Sequence, residues 1–175
     1  MTQPTCVCFS GVPGSSKTPI ANYLGMIFGF PRFENDAIRS EVKEDLLKDI
    51  NDFDAKKEFE TRLEFRLKNI ISLKKDFIMD ASIDRKWENL KKYLQDNGYV
   101  YFLIDITLSK EKLINLYKIK GYSESLSFLD TSIQEHEIFL SKFKPDIGVQ
   151  ITDATFSDRL QISRKFLQDF LLIQK

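Results

Sequence analysis

The densest chemical information in the chain lies in Gly11, Val12, Pro13, Gly14, Ser15, Ser16, Lys17 and Thr18. These residues follow the apolar run Cys6-Val7-Cys8-Phe9 and precede a helical pattern. A strand that enters a Gly-rich loop and leaves it as a helix turns backbone N–H groups inward as an anion nest, and the helix start adds unpaired donors. In such a loop Lys17 can reach the β- and γ-phosphates of a nucleoside triphosphate as a point charge, and the Thr18 hydroxyl can ligate Mg2+. The order follows the Walker A pattern G-x-x-x-x-G-K-[ST] except at Ser16, which stands where the pattern has its second glycine. A Cβ there is harmless at negative φ and obstructive at positive φ. The plain alternative is an ordinary turn between strand and helix. Placement, lysine and threonine together favour phosphate binding.

Such residues need a frame that brings them to one edge. Short apolar runs alternate with longer helical patterns, which predicts a mostly parallel α/β sheet. Strands are expected over 5–10, 30–34, 76–80, 99–106 and 147–152, the first a continuous apolar run of the kind buried parallel strands show. Ile20, Leu24, Ile27 and Phe28 form one helical stripe, with Pro19 in its first turn, where a missing N–H costs little. Asp36 caps a second helix, with Ile38, Val42 and Leu46 inward. After a break near Asn51-Asp52, a long charged helix presents Phe59, Leu63, Leu67, Ile70 and Ile71. Trp87, Leu90 and Leu94 mark the next, closed by Asn97-Gly98. Ser109 opens a helix with Leu113, Leu116 and Tyr117 that Gly121 ends, and a further helix covers roughly 125–143. The C-terminal helix buries Leu160, Leu167, Phe170 and Leu171. Five strands with interleaved helices make a three-layer doubly wound α/β fold, in one domain over residues 1–175. Ligands in such sheets bind outside the carboxyl ends of the strands, where Gly11, Asp36, Asp80 and Asp153 all fall.

A chain of 175 residues with 42% hydrophobic content and fifteen Phe can bury a core without disulfides or metals. Basic and acidic side chains balance at 26 each, which argues against holding nucleic acid by bulk electrostatics. Cys6 and Cys8 share one face of the first strand and are spaced too widely for easy bridging, so buried thiols and a reducing compartment are expected. No apolar stretch approaches a membrane span, and Met1-Thr2-Gln3-Pro4 lacks a charged region leading into an apolar one. The cytoplasm is the expected compartment.

Taken in order, Gly11 to Thr18, then Asn35-Asp36-Ala37-Ile38-Arg39, then Met79-Asp80-Ala81-Ser82 with Arg85 and Trp87 downstream, resemble the P-loop kinases of the AAA-33, zeta-toxin and polynucleotide-kinase-like group. The resemblance runs through nearly the whole chain and includes an Asp/Thr-rich turn, Thr152-Asp153, after the last strand. It implies a P-loop NTPase fold, ATP and Mg2+, and a hydroxyl-bearing acceptor: a small molecule, a nucleoside or a 5′-hydroxyl end. Asp36 resembles the carboxylate that accepts the proton of the attacking hydroxyl, a role compatible with N-capping. Arg39, on the same side of the helix start, would orient the acceptor, and Arg85 belongs to the region that lines the acceptor site in that group. Asp80 takes the Walker B position and would hold Mg2+ with Thr18, directly or through water. Thr152 and Asp153 join residues 11–18 as the nucleotide-binding set.

The resemblance also assigns a helical lid, residues 109–143, and here the chain departs most. Related lids carry arginines, and by spacing Leu116 and Lys120 stand in their places. Lysine supplies charge without the planar fork that grips phosphate bidentately. Lys120 or Lys118 is then the expected catalytic cation, with Arg62 and Arg66 as further groups able to approach the acceptor. The single histidine, His136, has no metal-ligand spacing and is expected to be structural. The leading expectation is an ATP- and Mg2+-dependent phosphotransferase. The alternative is a nucleotide-binding module with weak or no kinase activity, motivated by Ser16 and the missing arginines. A GTPase ranks third, since no Asn-Lys-x-Asp element is present to read guanine.

Overall fold

Five short segments pair into one sheet: β1 (Thr5–Gly11), β2 (Arg32–Glu34), β3 (Phe77–Ser82), β4 (Val100–Ile106) and β5 (Val149–Ile151). The computed structural model describes residues 3–45 and 52–174. Leu46, expected on an inner helical stripe, lies outside them. The strand order is β2-β3-β1-β4-β5 and every pairing is parallel. β1 is buried at all its positions because helices cover both faces of the sheet.

Helices α1 (Lys17–Phe28), α2 (Asn35–Asp45), α3 (Asp52–Ser72), α4 (Trp87–Asp96), α5 (Lys110–Lys120), α6 (Leu129–Phe143) and α7 (Arg159–Ile173) complete the chain. On one face Val7 and Phe9 pack with Ile20, Leu24, Leu113 and Leu167. On the other, Cys6 and Cys8 pack with Trp87, Leu90, Leu94 and Phe139, and α3 leans Leu63 and Leu67 against them. The cysteines share a face as expected, buried and unbridged, with sulfur atoms 3.5 Å apart. Trp87 sets its ring edge-on to Tyr101 and Phe139 at 4.8 and 6.0 Å, an orientation aromatic quadrupoles favour. No helix among the described residues is long and apolar enough to cross a membrane.

Several boundaries differ from expectation in ways that matter for the site. α2 begins at Asn35, so Asp36 lies within its first turn rather than before it. β3 continues two residues past Asp80 because Ala81 and Ser82 extend along β1, with a register shift between Val7 and Phe9. The helix expected over 125–143 is preceded by a tight 3-10 segment, Ser123–Phe128. Gly121, left-handed at φ 71°, ends α5, and the Ser127 hydroxyl donates to the Glu124 carbonyl, a local bond that competes with a regular helix. In α1, Ile27 is 45% exposed, whereas Ile20 and Leu24 are buried as the stripe predicts.

Candidate active site

β1 ends at Gly11 and α1 begins at Lys17, so a short loop joins strand to helix. Gly11 has φ 124° and Gly14 φ 80°. A Cβ on Gly11 would sit 2.6 Å from the Ile106 carbonyl oxygen, and one on Gly14 2.5 Å from the Tyr117 ring, so both positions require glycine. Ser16 is also left-handed, at φ 76° and ψ 38°. This is the obstructive case, and it costs about 1–2 kcal/mol for a residue with a Cβ.

The Ser16 hydroxyl has a partner that offsets part of that cost. It accepts from Lys120 Nζ at 3.0 Å, and the same ammonium donates to the Gly14 carbonyl at 2.7 Å. Tyr117, one turn earlier on the same face of α5, donates its hydroxyl to the Pro13 carbonyl at 2.6 Å. The first lid helix thus grips the loop with two side chains. Lys120 is the lysine that reaches it; Lys118 is exposed, and Leu116 packs against the core. Burial and the Arg159 charge hold the Lys120 ammonium below the usual lysine range. Ser16→Gly is expected to raise the thermal midpoint by about 2–4 °C, the shift of about 1 kcal/mol in a chain of this size, because Gly14 keeps Lys120 in place. Scanning calorimetry checks this, and a lowered midpoint would mean that the hydroxyl bond outweighs the strain.

Lys17 Nζ donates to the carbonyls of Gly11 and Val12, each at 2.8 Å, and to Ser15 Oγ at 3.3 Å. Burial of the ammonium, with the Lys120 charge adding, lowers its pKa to about 8 against the opposing pull of Asp84, Asp80 and Asp105. Thr18 Oγ1 donates to Asp80 Oδ1 at 3.1 Å. Burial raises the Asp80 carboxyl, Glu34 and Asp36 add to the effect, and the Thr18 hydroxyl and Arg32 oppose it. The Arg32 guanidinium lies 3.7 Å from Asp80 Oδ2. A hydroxyl and a carboxylate converging at a helix start fit Mg2+, which takes one or two protein oxygens and keeps several waters.

The other expected site residues are distributed less simply. Asp36 projects from the first turn of α2 with its side chain 90% exposed, held by Arg39 Nη1 at 2.8 Å. The Arg39 guanidinium in turn lies 5.2 Å over the Phe59 ring. Arg85 points to α6, where Nε and Nη2 donate to Glu135 Oε2 at 2.9 and 2.6 Å. Arg62 joins Glu58 and Asp45, and Arg66 joins Glu41, so both tie α2 to α3. Asp153 accepts the Ser109 N–H at 2.9 Å and its hydroxyl at 2.5 Å, which lowers its carboxyl pKa and fastens the start of α5. The Thr152 N–H donates to Thr155 Oγ1 at 2.9 Å within the turn after β5.

A buried network beneath the loop was not anticipated from the sequence. Asp84, in the segment after β3, accepts the Gly11 N–H at 3.3 Å and the Ser82 hydroxyl at 2.9 Å. His136 Nδ1 lies 2.8 Å from Asp84 Oδ2, and its Nε2 lies 3.1 Å from Thr107 Oγ1 and 3.3 Å from Asp105 Oδ1. Asp105 also accepts from Ser10, Thr107 and Gln150 at 2.6, 2.7 and 3.0 Å. The histidine from α6 thereby links the first amide of the loop to the centre of the sheet. One sequence signal was available: Asp105 interrupts the apolar run of β4, and a buried carboxylate needs partners. Arg159, also unweighted from the sequence, stacks 4.2 Å over Phe156 and is close enough to Lys120 to bear on its charge.

No protein-family model matches the chain, and no curated protein matches it in sequence. Solved structures do match in shape. The Mycobacterium tuberculosis APS kinase, in complex with AMPPNP and APS, is similar at a TM-score of 0.63 and 15% identity over 96% of this chain and 99% of that one. A gluconokinase from Sinorhizobium meliloti matches at 0.60 and 15% over 100% and 99%. A chain of the PezAT toxin–antitoxin system of Streptococcus pneumoniae matches at 0.62 and 19% over 82% of this chain and 63% of that one. At these identities the likeness concerns the fold, and with the parallel order β2-β3-β1-β4-β5 it is the three-layer α/β fold of the P-loop NTPases in its kinase-like form.

Proposed function

We propose that the protein is an ATP- and Mg2+-dependent phosphotransferase that moves the γ-phosphate to a hydroxyl of a small molecule, a nucleoside or a 5′-hydroxyl end. The observation that supports this most is the Thr18–Asp80 hydrogen bond of 3.1 Å, which brings a hydroxyl at the start of α1 and a strand carboxylate together beside Lys17. In this reading the amides of residues 11–18 and the Lys17 ammonium bind the β- and γ-phosphates, with Thr152 and Asp153 bordering the nucleotide. Thr18 and Asp80 would hold Mg2+, which when bound neutralises phosphate charge. Asp36 accepts the hydroxyl proton as the acceptor oxygen bonds to the γ-phosphorus, and the bond from that phosphorus to the bridging oxygen breaks to release ADP. Lys120 moves from the Gly14 carbonyl to the transferring group. Arg39 orients the acceptor, and Arg85 joins it on leaving Glu135. The protein acts in the cytoplasm.

A second reading, a nucleotide-binding module with weak or no turnover, draws on the left-handed Ser16 and on lysine in place of a lid arginine. Titration of Mg·ATP into wild type and Lys17→Ala, with ATP consumption measured over a panel of alcohols, separates these readings. The variant is expected to bind about tenfold to a hundredfold more weakly while staying folded, the scale of a lost charge-assisted hydrogen bond. Wild-type affinity is expected to fall as pH rises above about 8, where free Lys17 loses its proton and must regain one to meet phosphate. Unchanged affinity in a folded Lys17→Ala protein removes the phosphate-loop assignment. Tight Mg·ATP binding with no alcohol phosphorylated leaves the binding module.

A further inference from the structure

A cavity of about 560 Å³ opens between α3 and α4 over the ends of β2 and β3. Its size is that of a small-molecule site. Phe33, Leu63, Leu67, Met79, Ala81 and Leu90 make the walls apolar. Two polar residues of the lining tie it to the chemistry. The Ser82 hydroxyl oxygen, whose proton goes to Asp84, lies 3.1 Å from the Gly11 carbonyl oxygen, so one wall of the cavity abuts the phosphate loop. Asn35, immediately before Asp36, has a buried Oδ1 with no hydrogen-bond partner among the described residues. A buried acceptor without a donor is costly, and it marks a place where a bound molecule could supply one.

We propose that this cavity seats the body of the phosphoryl acceptor, and that the acceptor is an alcohol with an aromatic or alicyclic apolar body carrying a second hydrogen-bond donor, such as an N–H. The inference rests on the phosphotransferase reading above. An apolar body gains by leaving water against these walls, whereas a polyol or sugar acid would strip most of its hydroxyls of water against them; Glu64, Lys68, Lys86 and Asn89 also line the cavity, and Lys68 is already paired with Glu64 at 2.7 Å. The second donor of the acceptor meets Asn35 Oδ1. The hydroxyl sits at the Ser82 end, where its oxygen bonds to the γ-phosphorus of ATP, its proton passes to Asp36 and ADP leaves.

The test uses the full chain, titrated with four alcohols and followed by amide NMR, with phosphorus NMR after adding Mg·ATP. The alcohols are tryptophol, its benzofuran isostere lacking the N–H, glycerol and gluconate. Tryptophol is expected to shift the amides of Leu67, Ala81 and Leu90 and to bind at least tenfold more tightly than glycerol or gluconate. The isostere is expected to bind at least threefold more weakly than tryptophol. Leu67→Gln and Leu63→Gln, each checked for fold by its thermal midpoint and Mg·ATP titration, are expected to weaken tryptophol at least fivefold. Equal binding of glycerol or gluconate, tryptophol shifts mapping elsewhere, or tryptophol affinity unchanged in both folded variants would overturn the inference. Tryptophol seated in the cavity with no transfer from ATP to any alcohol overturns the phosphotransferase reading and leaves the ligand class standing. Transfer to glycerol by a protein that ignores tryptophol does the reverse.

Discussion

Asp36→Asn is expected to lower acceptor phosphorylation by about a hundredfold or more while leaving nucleotide affinity and melting temperature close to wild type. Asparagine keeps the size of the side chain and can still accept a hydrogen bond near the helix start, but it cannot take up the acceptor's proton. Stability should change little, because the Asp36 side chain is 90% exposed and its pairing with Arg39 is a surface contact. The separation of the two readouts is what gives the variant its value. A residue that merely braced the start of α2 would change the melting temperature and the turnover together. Turnover with a confirmed acceptor, thermal unfolding and Mg·ATP titration on one preparation give the answer, and wild-type turnover would remove Asp36 from the chemistry.

His136→Leu carries the largest expected effect on stability, a loss of about 3–5 kcal/mol, which in a chain of this size lowers the midpoint by roughly 6–20 °C. The ring stands between Asp84, whose side chain is 8% exposed, and the fully buried Asp105, and gives each a nitrogen within 3.3 Å. Leucine fills comparable space but leaves two buried carboxyl groups without the partner they share, and removing one member of a buried polar cluster exposes the whole desolvation cost of the rest. His136→Gln retains one donor and should recover part of the loss. Because Asp84 also holds the Gly11 N–H, the leucine variant should bind Mg·ATP less tightly even under conditions where it remains folded. Urea unfolding of the three proteins measures the first effect. A loss under about 1 kcal/mol would mean that neighbouring donors such as Ser82, Thr107 and Gln150 satisfy the carboxyl groups unaided.

What could be read from the chain alone was what local spacing controls. The apolar run of β1, the glycines at 11 and 14, and Lys17 and Thr18 at the start of a helix are consecutive, and backbone conformation over a few residues follows from them. The alternation of strands and helices, the parallel sheet, the caps at Ser109 and Gly121, and the shared face of the two cysteines were legible for the same reason. Tertiary structure decided what depends on partners far along the chain. Ser16 is left-handed because the loop must close between β1 and α1, a demand its identity does not reveal. Lys120 meets the loop 106 residues away, and Lys118 does not, because the packing of α5 beside the loop selects which face of the helix points at it. Arg85 turns to Glu135 because α6 lies within its reach, and no feature of its own neighbourhood says so. The Asp84–His136–Asp105 cluster assembles from three separate segments of the chain, where one histidine and two aspartates carry no recognisable spacing. Sequence period sets which way a side chain leaves its own element; which group it then meets is set by how the helices settle on the sheet.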